Sequence, residues 1–420
     1  MKKGLVRWME KAAARGGIIV FFIMAFEVMI MISPFAFFFY SVLNPFLHFL
    51  NAYAATRWLT DFFLPHMILP PTVFLKVIRI FGSILFVTGC TTFIVCALQV
   101  YSGKIFKWGI AQKGLYKYIR HPQYLALGLW GIGMAVLWAR FIVLALLSLM
   151  FVLYYILAKD EEKRMLSLYG ERYGRYIHSS GMFLPKEVET FLSFPLRSLP
   201  GAMRHAVMCS AIFVIVIGSG FLLRYITLQS LGLSRAGNVT VVSILPEDGD
   251  RSRMIFGKMA TDRLEFIDSQ KDYLAYLMPG DYIMQGMLAD TGGAFHLHKS
   301  HNTFALMIDW VIHPFEHLRR SPAAGIAKMH GVDPAFARRR HCPIAVEHNL
   351  SCENCPYRRI IFIEINHAGK NHVSGEELFS FESIRIPVAF IDVNTSTGQI
   401  VSSQRVGKAT AWKDVPTPSI

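Results

Sequence analysis

Five long apolar runs limit this chain more than any other feature. They fall at 17–42, 73–100, 123–138, 141–158 and 206–228, and a helix needs about 20 such residues to cross about 30 Å of hydrocarbon. The third is marginal in length. In lipid every backbone N–H and C=O must be satisfied within its own segment, so each run is read as a helix. Of the 420 residues, 53% are hydrophobic and only 17% charged, whereas soluble domains sit near a quarter charged. The predicted fold is an all-α polytopic membrane domain of about five transmembrane helices, followed by a soluble α+β domain. The boundary is expected near 235/236, giving a membrane domain over 1–235 and a soluble domain over 236–420.

Charge is unevenly divided between the two parts. Before Gly237 there are 24 Lys/Arg and 9 Asp/Glu, and from Gly237 on there are 19 and 20. The excess of basic residues therefore belongs to the membrane part, where it reads as topology and contact with anionic lipid headgroups. A nearly neutral second part excludes nucleic acid as the reason for the basicity. Basic residues crowd the N-terminus, the loop 104–120 and the region 159–204. This places the N-terminus and the stretch 114–185 on the cytoplasmic side, and the chain after Leu228 on the outer side. The basic start, MKKGLVRWMEKAAARGG, leads into the first apolar run without a small-residue cleavage site, so an uncleaved first helix is expected. The aromatic and Pro-containing segment 44–71 reads as interfacial on the outer face.

The chemistry concentrates in 114–185. It opens GLYKYIRHPQYLALG, crosses two apolar runs joined by a short turn at Ala139 and Arg140, and closes KDEEKRMLSLYGERYGRYIHSSGMFLP. A helical hairpin returns the cationic and imidazole cluster, Arg120 and His121, to the same face as the acidic cluster, Asp160, Glu161 and Glu162. Such a pair of clusters can hold a zwitterion.

Gly114, Tyr116, Arg120-His121-Pro122 and Tyr124, then Glu161-Glu162, Gly170, Tyr173, Tyr176 and Pro185, resemble the core of the isoprenylcysteine carboxyl methyltransferase and phospholipid methyltransferase group. These are integral membrane enzymes that use S-adenosylmethionine. The resemblance covers about 101–185 and leaves the second part unrecognised. It implies a cofactor site of His121, Pro122, Tyr124, Gly131, Gly133, Glu161, Glu162, Tyr173 and Tyr176, with Arg120, Arg172 and Arg175 as candidate catalytic residues. Its expected partner is a membrane lipid or lipidated substrate.

The chemistry of the residues agrees with that expectation. S-adenosylmethionine carries a carboxylate, an ammonium, a ribose diol and a sulfonium, so its site needs donors and acceptors of set sign. Arg120 and His121 suit the carboxylate, and Glu161 or Glu162 the ammonium or ribose hydroxyls. Pro122 at a first helical turn leaves neighbouring N–H groups as further donors. Gly128, Gly131 and Gly133 allow either close helix approach or room for a ligand. Prenylcysteine methyltransferases usually carry Arg or Lys shortly after the second Tyr. Here that place reads Ile177-His178-Ser179-Ser180-Gly181, with Arg172 and Arg175 nearby, so a prenylcysteine carboxylate, a lipid amine or another membrane-embedded acceptor is allowed.

Other features lie outside that stretch. Glu27 falls inside the first apolar run, where an ionised carboxylate is costly unless it faces a cavity or a cation such as Lys76 or Arg79. In the second part, Cys342, Cys352 and Cys355, with His341 and His348 among them, are compatible with a zinc or iron–sulfur site, or with one disulfide and a spare thiol. His296, His298, His301, His313 and His317 form a looser group that scattered surface histidines explain as well. The rival function is a membrane-anchored metal-binding or redox module whose helices are a non-catalytic scaffold. Strands are expected at 239–245, 360–365 and 387–393, with a hairpin through Asn394 to Gly398, and helices at 304–318 and 334–340.

Overall fold

The computed structural model describes 46–106, 109–193, 199–245, 264–279, 356–367 and 375–406, apart from a few positions within these ranges, and isolated residues elsewhere. The expected first span, Glu27, the five histidines from His296 to His317, the helices expected at 304–318 and 334–340, and Cys342, Cys352 and Cys355 lie outside the described residues. The described residues form two compact units. One is Phe74–Leu223; the other combines the residues up to Val73 with those from Arg224 on.

The first unit is helical. Helix α1 runs Val73–Ile105, α2 Pro122–Leu137, α3 Phe141–Tyr169, α4 Glu171–Ser179, α5 Lys186–Ser193 and α6 Gly201–Ser230. Among the described residues three helices are long and apolar enough to cross a membrane, within α1, α3 and α6, so this is an integral membrane protein. Three of the about five expected spans are therefore found among the described residues. The first candidate is outside the described residues, and α2 has 16 residues, about 24 Å at 1.5 Å per residue, short of a full crossing.

Helix α3 also corrects the expected placement of the acidic cluster. The helix does not end near Ala158 but continues to Tyr169, so Asp160, Glu161 and Glu162 lie inside it. Leu, Met, Lys and Glu are good helix formers, and the i,i+4 pair Asp160–Arg164 at 2.9 Å supports the extension.

Glycines bring the helices together. A Cβ on Gly133 of α2 would stand 2.4 Å from the Phe86 nitrogen of α1, and one on Gly89 of α1 would stand 2.4 Å from the Trp130 nitrogen of α2. Gly82 faces Val136 in the same row, so α1 and α2 run antiparallel with backbone against backbone. Gly128 sits against the Phe151 ring of α3, and Gly220 of α6 against Leu144 of α3. The turn between α2 and α3 buries Trp138 and Arg140, with the guanidinium 5.4 Å from the indole centroid.

The second unit is built on a six-stranded sheet in sequential order: β1 Leu233–Ala236, β2 Val239–Ser243, β3 Asp272–Pro279, β4 Tyr357–His367, β5 Ser383–Asn394 and β6 Ile400–Arg405. Only β2 and β3 pair in parallel. The strands expected around 239–245, 360–365 and 387–393 are present. The hairpin into β6 closes as its Asn394-Thr395-Ser396-Thr397-Gly398 sequence suggests. Asn394 Oδ1 accepts from the Ser396 and Thr397 N–H groups, and Gly398 takes φ +71°. Strands β1 and β3 were not expected. β3 is buried along almost its whole length, with Leu274, Tyr276 and Met278 in one core and Tyr273, Ala275 and Leu277 in the other. It therefore lacks the alternation that marks a half-exposed strand.

The first core also takes in Ile68 and the 3-10 segment Gly375–Phe379. Arg224, near the end of α6, bonds the carbonyls of Phe62 and Phe379 and lies 3.4 Å from Asp61. These contacts group the segment before α1 with the sheet. Across the sheet, Arg359 on β4 stands directly opposite Asp392 on β5, both fully buried. The guanidinium grips the carboxylate through two bonds of 2.7 and 2.6 Å. Asp392 also meets His348 Nε2 at 2.8 Å and accepts from the Ser402 hydroxyl at 3.1 Å.

Burial alone would raise the Asp392 carboxyl, but its bonds to Arg359, with help from His348 and Ser402, hold it below the ordinary Asp range. A lowered folded pKa stabilises the fold above the unfolded value and loses that contribution as pH falls through the folded value. Asp392→Asn should cost about 3–5 kcal/mol by taking from the buried Arg359 the carboxylate it grips, and its stability should depend less on pH below about 4. Thermal unfolding of the full-length protein across pH reads both effects. In the helical unit Gly133→Ala should lower stability by about 1–3 kcal/mol, while Gly218→Ala, where an added Cβ meets nothing within 4 Å, should not.

Candidate functional site

A short backbone ladder joins the two ends of the 114–185 stretch. Arg120 N–H donates to the Gly181 carbonyl at 2.8 Å, His121 N–H to Met182 at 3.0 Å and Gly181 N–H to Tyr118 at 3.0 Å, making a parallel bridge between Ile119 and Gly181. Pro122 then starts α2 with its φ already suited to a helix and no N–H to lose. Thus the residues before α2 and after α4 form one floor, and α3 delivers its glutamates above it.

Glu189 of α5 secures that floor. Its carboxylate accepts from the Met182, Phe183 and Leu184 N–H groups at 2.8, 2.7 and 3.1 Å. Successive N–H groups in a tight turn form an anion-binding nest, which here takes a side chain from seven residues on. Gly181 is required at the turn, since a Cβ there would meet the Leu184 carbonyl. Nothing in the sequence around Lys186-Glu187-Val188-Glu189 distinguished this glutamate from a solvated helix start.

Arg120 is a clamp. Its Nε meets Glu162 Oε1 at 2.6 Å, and Nη1 bonds the carbonyls of Ile177, at 3.2 Å, and Ser180. The side chains of Arg120 and Glu162 are 7% and 10% exposed, so the pair is desolvated, and removing either partner would strand the other charge. In this way the guanidinium crosses the 177–181 segment, where the sequence supplies no cation of its own.

The two glutamates divide the work expected of them jointly. Glu162 is enclosed by Arg120 and by His121, whose Nε2 is 3.7 Å away. Glu161 is 47% exposed, lies 3.6 Å from His121 Nδ1 and accepts a long bond from the Tyr124 hydroxyl at 3.5 Å. His121 stacks on Tyr124, and Tyr124 stacks on Tyr154, with centroids 5.6 and 5.0 Å apart. The Tyr176 hydroxyl bonds the Tyr116 carbonyl, and Tyr173 packs edgewise on Tyr176.

Several of these side chains border a cavity of about 820 Å³. Arg120, His121, Glu161, Arg172, Tyr173 and Tyr176 line it, together with Gln99, Lys113, Tyr116, Met165, Tyr169 and the segment 109–114. Of the other expected residues, Pro122, Tyr124, Gly131, Gly133, Glu162 and Arg175 are not among the lining residues. Pro122 and Gly131 are buried in α2, Gly133 faces α1, and Arg175 is exposed. Gln99, Lys113, Met165 and Tyr169 were not expected. They come from the ends of α1 and α3 and from the connection between α1 and α2, and only the three-dimensional path of the chain brings them in.

Burial pushes the Tyr116 and Tyr173 hydroxyls well above the ordinary tyrosine range, and neighbouring Glu162 adds to the rise at Tyr173. Tyr176 is pushed up to about 12 by burial, against an opposing pull from Arg120. All three are therefore neutral phenols at physiological pH, able to donate and accept hydrogen bonds but not poised as bases. Among the described residues no cluster of His, Cys, Asp and Glu could hold a metal ion. The Cys342, Cys352 and Cys355 candidates lie outside them.

No curated protein and no solved structure matches the chain. The family model for the isoprenylcysteine carboxyl methyltransferase (ICMT) family matches residues 93–167. That interval begins within α1 and ends within α3, and it leaves out Tyr173, Tyr176, Glu189 and the entire sheet unit. The segment that carries both arms of the site, Arg120-His121 and Glu161-Glu162, is thus one with the sequence pattern of the isoprenylcysteine carboxyl methyltransferase family.

Proposed function

We propose that this protein is an integral membrane methyltransferase that takes its methyl group from S-adenosylmethionine and passes it to a membrane-embedded acceptor. The acceptor is a prenylcysteine carboxylate, a lipid amine or a similar group. One observation carries the reading. Arg120, His121 and Glu161, in a segment matching a methyltransferase family, converge with Arg172 and three neutral tyrosines on one cavity.

The residues fit the methyl donor. About 820 Å³ lies in the range of small-molecule sites. The lining offers cationic donors for a carboxylate, an exposed carboxylate for an ammonium or ribose hydroxyls, and aromatic faces. His121 Nε2 and the Tyr116 hydroxyl are buried with no hydrogen-bond partner among the described residues, as expected of groups that a ligand completes.

When bound, S-adenosylmethionine supplies an electrophilic methyl on a sulfonium. His121 and Arg172 present donors to a carboxylate, and Glu161 accepts from an ammonium or hydroxyl. Glu162 acts by holding Arg120 and His121 in place, and Arg120 acts by locking α2, α3 and α4 together. In-line methyl transfer depends chiefly on alignment, which a floor of this rigidity provides. The distribution of Lys and Arg supports a cytoplasmic site and contact with anionic headgroups.

Full-length protein in lipid nanodiscs should bind S-adenosylhomocysteine by calorimetry. Glu161→Gln and His121→Ala should weaken that binding by about tenfold or more, as expected for charge-assisted contacts. Glu162→Gln should also lower the unfolding temperature, because Arg120 loses its buried partner. Incubation with labelled donor and a lipid extract should move label into the lipid fraction. Absence of binding by the wild type would sink the reading.

A further inference from the structure

The cavity contains a polar group that the roles given to Arg120, His121, Glu161, Glu162 and Arg172 do not use. Tyr116 lies on the single 3-10 turn Gly114–Lys117, is 5% exposed and lines the cavity. Its backbone is held at both ends: the N–H donates to the Lys113 carbonyl at 3.2 Å, and the carbonyl accepts from the Tyr176 hydroxyl. The ring is therefore anchored to the same floor as Arg120 and His121. Its hydroxyl is buried and has no hydrogen-bond partner among the described residues.

A buried hydroxyl without a partner destabilises a fold, and phenylalanine would fill the same space without that cost. Among the described residues that line this cavity, His121 Nε2 is also buried without a hydrogen-bond partner, but it stands 3.7 Å from the Glu162 carboxylate. The Tyr116 hydroxyl, with no such neighbour, marks where a polar ligand completes the hydrogen bonding. Glu161 supplies the charged acceptor at the same wall.

We infer that Tyr116 is a ligand-contacting residue whose hydroxyl hydrogen-bonds S-adenosylmethionine in the cavity. The inference rests on the methyltransferase reading and adds to it a residue that acts through a neutral hydroxyl. Burial keeps that hydroxyl protonated, so it can donate as well as accept.

Tyr116→Phe separates ligand contact from a structural role. In full-length protein in nanodiscs, the dissociation constant for S-adenosylhomocysteine should rise about five- to tenfold, the loss of one hydrogen bond to a ligand. The unfolding temperature of the ligand-free variant should equal or exceed that of the wild type, since the substitution removes only an unsatisfied group. Tyr118→Phe, at an exposed position with its ring near Lys117, should leave the dissociation constant unchanged. If wild type and Tyr116→Phe bind equally, the Tyr116 assignment is wrong and the methyltransferase reading stands. A lower ligand-free unfolding temperature in Tyr116→Phe makes the residue structural and overturns the assignment. Failure of the wild type to bind overturns both.

Discussion

Everything proposed for the site depends on one short union of backbone, the bridge between Ile119 and Gly181. It joins residues about sixty positions apart and gives the His121 ring and the Arg120 guanidinium a defined starting point. The Arg120–Glu162 pair then ties that floor to α3. A buried ion pair offers little net stability over a well-packed apolar substitute, yet breaking it is expensive. Its value here is register: it allows one rotation of α3 relative to α2, the one that turns Glu161 toward the cavity and encloses Glu162.

The same economy governs the sheet unit. Arg359 and Asp392 face each other across adjacent strands in a fully buried setting. A one-residue slip between β4 and β5 would leave the two on opposite faces, so the pair penalises the wrong register. In both units an arginine and a carboxylate from distant parts of the chain define alignment, while glycines or apolar side chains supply the contact area.

Much of this was legible in the sequence, and the limits have physical causes. The runs at 73–100, 141–158 and 206–228 were readable because lipid demands long uninterrupted apolarity, but their ends were not, since helices continue past the hydrocarbon edge wherever polar helix formers follow. The convergence of Arg120-His121 with Glu161-Glu162 followed from the tight turn at Arg140. The division of labour between Glu161 and Glu162 did not, because adjacent residues on a helix differ by about 100° in direction and only packing says which one faces inward. Glu189 was invisible because its partners are backbone N–H groups, which every sequence has. β3 was missed because burial on both faces erases alternation, and Gly133 could be read as packing or as ligand space until α1 was seen against it.

The glycine seam between α1 and α2 lies away from the cavity lining and holds in place the helix whose far end carries Gln99. There Gly89 and Gly133 put backbone against backbone, with Val136 against Gly82 and the Trp130 ring against Phe86 and Phe93 beside them. Opposite conditions hold at 109–114, where the wall is a connection bounded by Gly109 at φ +82° and Gly114 at φ +62°, positions at which other residues would be strained. Changes to this part of the lining are therefore accommodated between the two glycines more readily than at them.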